Sequence, residues 1–147
     1  METRVLHVII GLLKTQHAEI IRDLENLKGQ IALPFSLKRM QNVGRMLRVL
    51  DQRVVLHLIQ EDQLLYPKLV LAKNSRLRAT ANRLQTEMGG MAYEFSLYIR
   101  RWRSEAELVH HWGVFVEESL GLTTRLSERI RREEDELFPL LDPWDPG

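Results

Sequence analysis

Apolar residues recur at intervals of three and four along almost the whole chain, and strict alternation is sustained nowhere. The pattern therefore predicts four amphipathic helices and no sheet. The first is predicted from about Glu2 to Lys28, with Val5, Ile9, Leu12, Leu13, Ile20, Leu24 and Leu27 facing inward and Gly29 as its stop. Pro34 suits the first turn of a second helix carrying Leu37, Met40, Val43, Leu47, Leu50, Val54, Leu58 and Leu65, which ends or kinks near Pro67. Asn74 and Ser75 can cap a third, Arg76 to about Trp102, with Leu77, Leu84, Met88, Met91, Phe95 and Tyr98 in line and Gly89-Gly90 as its weak point. Ser104 and Glu107 have capping-box spacing and open a fourth, which runs through Leu108, Val114, Phe115, Leu122, Leu126 and Ile130 toward Pro139. Residues 142–147 read as a short tail rich in helix breakers. Long helices with short connections predict an all-α, up-down-up-down four-helix bundle, with residues 1–147 forming one domain.

Composition narrows the chemistry. Lys and Arg number 21 against 20 Asp and Glu, so the net charge of +1 supplies no field toward nucleic acid or anionic lipid, and neither is expected as a partner. The chain has no cysteine, which removes disulfides, thiolate metal sites and cysteine nucleophiles together. Any metal must be held by His and carboxylates, and there are 5 histidines to do it. The longest strongly apolar run, Val8 to Leu13, is far below the ~20 residues of a spanning helix, so no membrane span is expected and a cytoplasmic setting is the default.

The informative feature is an internal repeat. The segment from His57 through Glu61, Leu65, Tyr66 and Pro67 to Leu69 matches that from Arg129 through Glu133, Leu137, Phe138 and Pro139 to Leu141, at a constant offset of 72. Two helices that end alike imply a pseudo-symmetric pair whose inward carboxylates, Glu61 and Glu133, face one another in the core, as helical bundles arrange their metal sites. His57 and Glu61 lie four apart on one helix face. His17 shares the stripe of Leu13, Ile20, Ile21 and Leu24 and points inward, either as a hydrogen-bonded core residue or as a ligand.

These residues resemble the haemerythrin-like HHE cation-binding domains over nearly the whole chain. That family's pattern is a His in the first helix, HxxxE with an aromatic-Pro stop in the second, a His in the third, and HxxxE with the same stop in the fourth. His17, then His57 and Glu61 with Leu65-Tyr66-Pro67, then Glu133 with Leu137-Phe138-Pro139, match it. The resemblance implies a four-helix bundle holding non-haem iron, with His17, His57, Glu61 and Glu133 as metal ligands. Two departures qualify it. Arg129 stands four before Glu133, where the family has His, and arginine offers no lone pair to a metal. Met88 stands about where the third-helix His belongs, and a thioether is a poor substitute for imidazole on iron.

Three arrangements stay open: one ion held by the four residues and water, an asymmetric site for two ions, or a metal-free core in which Arg129 pairs with Glu61 or Glu133. The corresponding functions are oxygen, redox or iron sensing or handling through a bound ion and a small diatomic ligand, and a regulatory module that binds a protein partner through a helix face. An enzymatic role is the weakest reading, because the ligand count has fallen. His110 and His111 lie about 27 Å along a helix from Arg129 and are read as surface or capping residues. His7 is read as an ordinary helix residue, and Arg100-Arg101-Trp102-Arg103 as a solvated helix end. In the charge run Glu133-Glu134-Asp135-Glu136, only Glu133 has a specific argument.

Overall fold

The structure, a computed structural model, describes residues 2–141. The predicted tail at 142–147 lies outside the described residues. Four helical rods form the bundle. The first is α1 (Glu2–Ile31). The second joins α2 (Leu37–Leu50), α3 (Leu56–Gln60) and α4 (Tyr66–Leu69) through two wide π-helical turns, Asp51–Val55 and Glu61–Leu65. The third joins α5 (Ser75–Met88) and α6 (Met91–Trp102). The fourth follows the short α7 (Glu105–His110) with α8 (Trp112–Arg132), a π turn over Glu133–Leu137 and a 3₁₀ turn over Phe138–Leu140. The first rod packs on the second and fourth, and α6 packs on the second rod and on α8. No strand occurs among the described residues.

The caps form as the sequence suggests. Asn74 Oδ1 accepts from Arg76 N and Leu77 N, and Ser104 Oγ accepts from Glu107 N. Other boundaries move. The first helix passes through Gly29 to Ile31, and Ser36 Oγ, accepting from Arg39 N, caps the second, so Pro34 precedes that helix instead of lying in its first turn. Gly89 and Gly90 break the third rod outright. Gly90 has φ +85°, which glycine adopts without a Cβ penalty, and a Cβ on Gly89 would fall 2.6 Å from the Gln85 carbonyl oxygen. A second break, at His111, separates α7 from α8.

The inner stripe of the first rod is narrower than predicted: Ile10, Leu13, His17, Ile20, Leu24, Leu27 and Ile31 are buried, alternating steps of three and four. Val5 and Leu12 fall off that seam and are exposed, as are Leu37 and Val114, while Ile9 and Met88 are only half-buried. The seam matters because it is interrupted once at a common depth. One apolar cluster gathers Ile20, Leu24, Val54, Leu58, Phe95, Phe115, Leu126 and Ile130, among others, and a second gathers Ile10, Leu13, Leu65, Tyr66, Leu77, Leu137 and Phe138. Where the two clusters meet, on three rods, lie His17, His57 with Glu61, and Arg129 with Glu133, all buried.

Candidate metal centre

This polar layer is positioned by the two π turns that begin at its glutamates. In an ordinary α-helix, residues five apart point about 140° away from each other around the axis. Here Tyr66 N–H bonds to the Glu61 carbonyl and Phe138 N–H to the Glu133 carbonyl, so each widened turn carries a glutamate and an aromatic ring inward together. The widening also gives room to Pro67 and Pro139, whose rings would clash with the carbonyl four residues earlier in a regular helix.

One donor atom from each of His17, His57, Glu61 and Glu133 lies within 4.8 Å of all the others. His17 Nε2 is 3.2 Å from Glu61 Oε2 and 3.2 Å from Glu133 Oε1, and His57 Nε2 is 3.1 Å from Glu61 Oε2. The far side of each imidazole is engaged by an acceptor: His57 Nδ1 is 2.7 Å from Gln16 Oε1, and His17 Nδ1 is 3.3 Å from Glu134 Oε2. A proton held on Nδ1 leaves the Nε2 lone pair for the cluster. His57 Nε2 and Glu133 Oε1 are buried, and although each has an oppositely charged neighbour at these distances, neither makes a hydrogen bond of good geometry. Orphaned buried atoms are costly and rare, and a cation among these donors would satisfy them.

Arg129 closes the opposite side. Its Nε donates to Glu133 Oε2 at 3.3 Å, and its terminal nitrogens donate to Glu61 Oε1 at 3.1 Å, Asp62 Oδ1 at 2.7 Å and the Met88 carbonyl at 3.2 Å. Tyr66 O–H also donates to Glu133 Oε2, at 2.8 Å. Each carboxylate thus spends one oxygen on Arg129 and turns the other toward the histidines. Met88 contributes its backbone, and the third rod supplies no side chain to the four-residue group.

The electrostatics show a demand for positive charge. At His17 burial works against the charged form, but Glu133 and Glu61 outweigh it and raise the pKa to about 10. Burial would raise Glu61, yet the two histidines hold it well below the usual carboxylate range. Glu133 is pushed up to about 8 by burial and by the charge of Glu61, against the pull of His17 and Arg129. Burial and the neighbouring carboxylates push the Tyr66 phenol up as well, so it stays neutral.

The model of the Hemerythrin HHE cation binding domain matches residues 8–141. The chain belongs to that family. No curated protein and no solved structure matches it. The structure places donor atoms of His17, His57, Glu61 and Glu133 within reach of one another, and sets Arg129 against both glutamates. His7, His110 and His111 are exposed and take no part. In the basic patch, Arg101 stacks over Trp102 and pairs with Glu118. Sequence reasoning missed Gln16, Asp62, Glu134 and the Tyr66 hydroxyl. For Asp62 and Glu134 a signal existed, since they correspond across the 72-residue repeat, and Glu134 touches His17 despite its place in a charge run.

Proposed function

We propose that this single domain, residues 1–147, binds one divalent transition-metal ion, iron, through His17, His57, Glu61 and Glu133, and serves oxygen, redox or iron sensing or handling. The observation that carries the reading is the pair of imidazoles whose Nδ1 atoms are engaged by Gln16 and Glu134 while their Nε2 atoms converge on two carboxylate oxygens. Two nitrogens and two oxygens suit iron, manganese or zinc. One ion is favoured over two because the Arg129 guanidinium already balances the outer oxygens of both carboxylates.

When bound, such an ion supplies Lewis acidity and, for iron, a one-electron redox change at positions the protein leaves open. A small diatomic ligand there and a cytoplasmic setting belong to the same reading. Among the described residues, no helix is long and apolar enough to cross a membrane. The chain's own residues do the rest: Gln16 and Glu134 orient the imidazoles, Arg129 and Tyr66 orient Glu133, and the flanking apolar clusters exclude water. The test is metal content with an absorption spectrum on anaerobically purified protein. The expected result is about one equivalent of iron, and less than about a tenth of an equivalent of any transition metal would overturn the proposal.

The placement of Arg129 also supports a second reading, in which the core is metal-free and the bundle is a regulatory module for a protein partner. It expects His57→Ala to leave the melting temperature unchanged in chelator and in iron alike. A chelator that lowers the wild-type melting temperature sinks it.

A further inference from the structure

We propose that Tyr66 is a one-electron donor to this site, passing an electron to a hydroperoxide reduced there and its phenolic proton to Glu133 Oε2. The inference rests on the metal-binding reading above. A single iron ion would supply one electron between its ferrous and ferric states, which cleaves the O–O bond of a hydroperoxide but leaves a hydroxyl radical, whereas full reduction to water consumes two. Arg129, which faces the same two carboxylates, has no electron to give.

Tyr66 is placed to supply the second. Its side chain is buried, and its hydroxyl lies 2.8 Å from Glu133 Oε2. The other oxygen of that carboxylate lies 3.2 Å from His17 Nε2, so phenol, carboxylate and cluster are contiguous. The Arg129 guanidinium sits 5.7 Å from the ring centroid. Phe138, the counterpart of Tyr66 in the repeat, stacks on His17 at 5.6 Å but has no hydroxyl. The other two tyrosines are elsewhere: Tyr98 O–H pairs with Ser119, and Tyr93 is exposed. The step balances as follows: hydrogen peroxide, the ferrous ion, Tyr66 and one solvent proton give the ferric ion, the neutral Tyr66 radical and two waters. The Tyr66 O–H and the peroxide O–O bonds break. The phenolic proton, relayed through Glu133, and the solvent proton complete the waters.

Anaerobic protein loaded with ferrous iron is mixed with an equivalent of hydrogen peroxide, frozen within milliseconds and examined by electron paramagnetic resonance, with iron content measured on the same sample. The expected result is a tyrosyl signal, read per iron bound in each sample, that changes on ring deuteration of tyrosine and is lost in Tyr66→Phe, with a several-fold rise in trapped hydroxyl radical per iron. Persistence of the signal in Tyr66→Phe overturns the proposal. If Tyr66→Phe fails to hold iron, the Tyr93→Phe/Tyr98→Phe double variant decides, since it leaves Tyr66 as the sole tyrosine: a signal there supports the proposal, and its absence overturns it. Iron-loaded wild type that yields no radical overturns the Tyr66 role alone. Protein that takes up no iron overturns the metal-binding reading, and this inference with it.

Discussion

Arg129 stands where its repeat counterpart is His57, and exchanging an imidazole for a guanidinium turns a donor to metals into a competitor for their charge. Removing it leaves Glu61 and Glu133 facing each other with less compensation. Arg129→Leu should therefore cost the metal-free protein about 3–5 kcal/mol, read by denaturant unfolding in chelator. A loss below about 1 kcal/mol would show that the carboxylates are balanced without it. Gln16 acts one step further out. With its acceptor gone the His57 ring is free to turn, so Gln16→Leu should weaken metal affinity by about 10–100-fold in competition with a chelator.

The pKa shifts at the same residues carry a sign. His17 moves from 6.5 up to about 10 on folding, so the stability it gives the metal-free protein is complete below pH 6.5 and lost as pH rises toward about 10. Glu133 moves from 4.5 up to about 8, which likewise removes stability as pH rises between those values. Both effects operate between pH 6.5 and about 8, where the melting temperature in chelator should fall. With a cation bound the fall should flatten. A metal-free melting temperature that rises over this interval would contradict the charge assignment.

At the level of the elements, the seam of the first rod was legible because a period of three and four is a local property of the chain. The π turns were not. Nothing in the apolar pattern announces an extra residue in a turn, and the prolines signalled only that the helix must change. Two glycines separate local from tertiary control. Gly29 lies inside the first helix with nothing near where a Cβ would stand, so Gly29→Ala should stabilise by about 0.4–1 kcal/mol. Gly90 sits at φ +85° in the break of the third rod, and Gly90→Ala should destabilise by about 1–2 kcal/mol. Thermal denaturation of the pair tests both signs.

Across the whole molecule, the cluster divides the interior into two apolar compartments, and a cation there would tie three rods together. A ligand bound only by the folded state stabilises it by about 2.7 kcal/mol when present at 100 times its dissociation constant. Iron should thus raise the melting temperature by several degrees and chelator should reverse it. Coincident unfolding of both compartments, seen by hydrogen exchange, should tighten on metal loading.

The sequence by itself determined the all-α bundle and the repeat, because helical period and residue type are encoded locally, and its resemblance to the HHE pattern pointed to the four cluster residues. It also identified Arg129 as the departure that matters. Which oxygen faces which partner, that Arg129 reaches Glu61, Asp62 and the Met88 carbonyl as well as its own Glu133, and that Gln16 and Glu134 back the imidazoles were decided only by tertiary structure. Those contacts depend on the rotation of one rod against another, set by packing and by the π turns, and no spacing along a single helix specifies it.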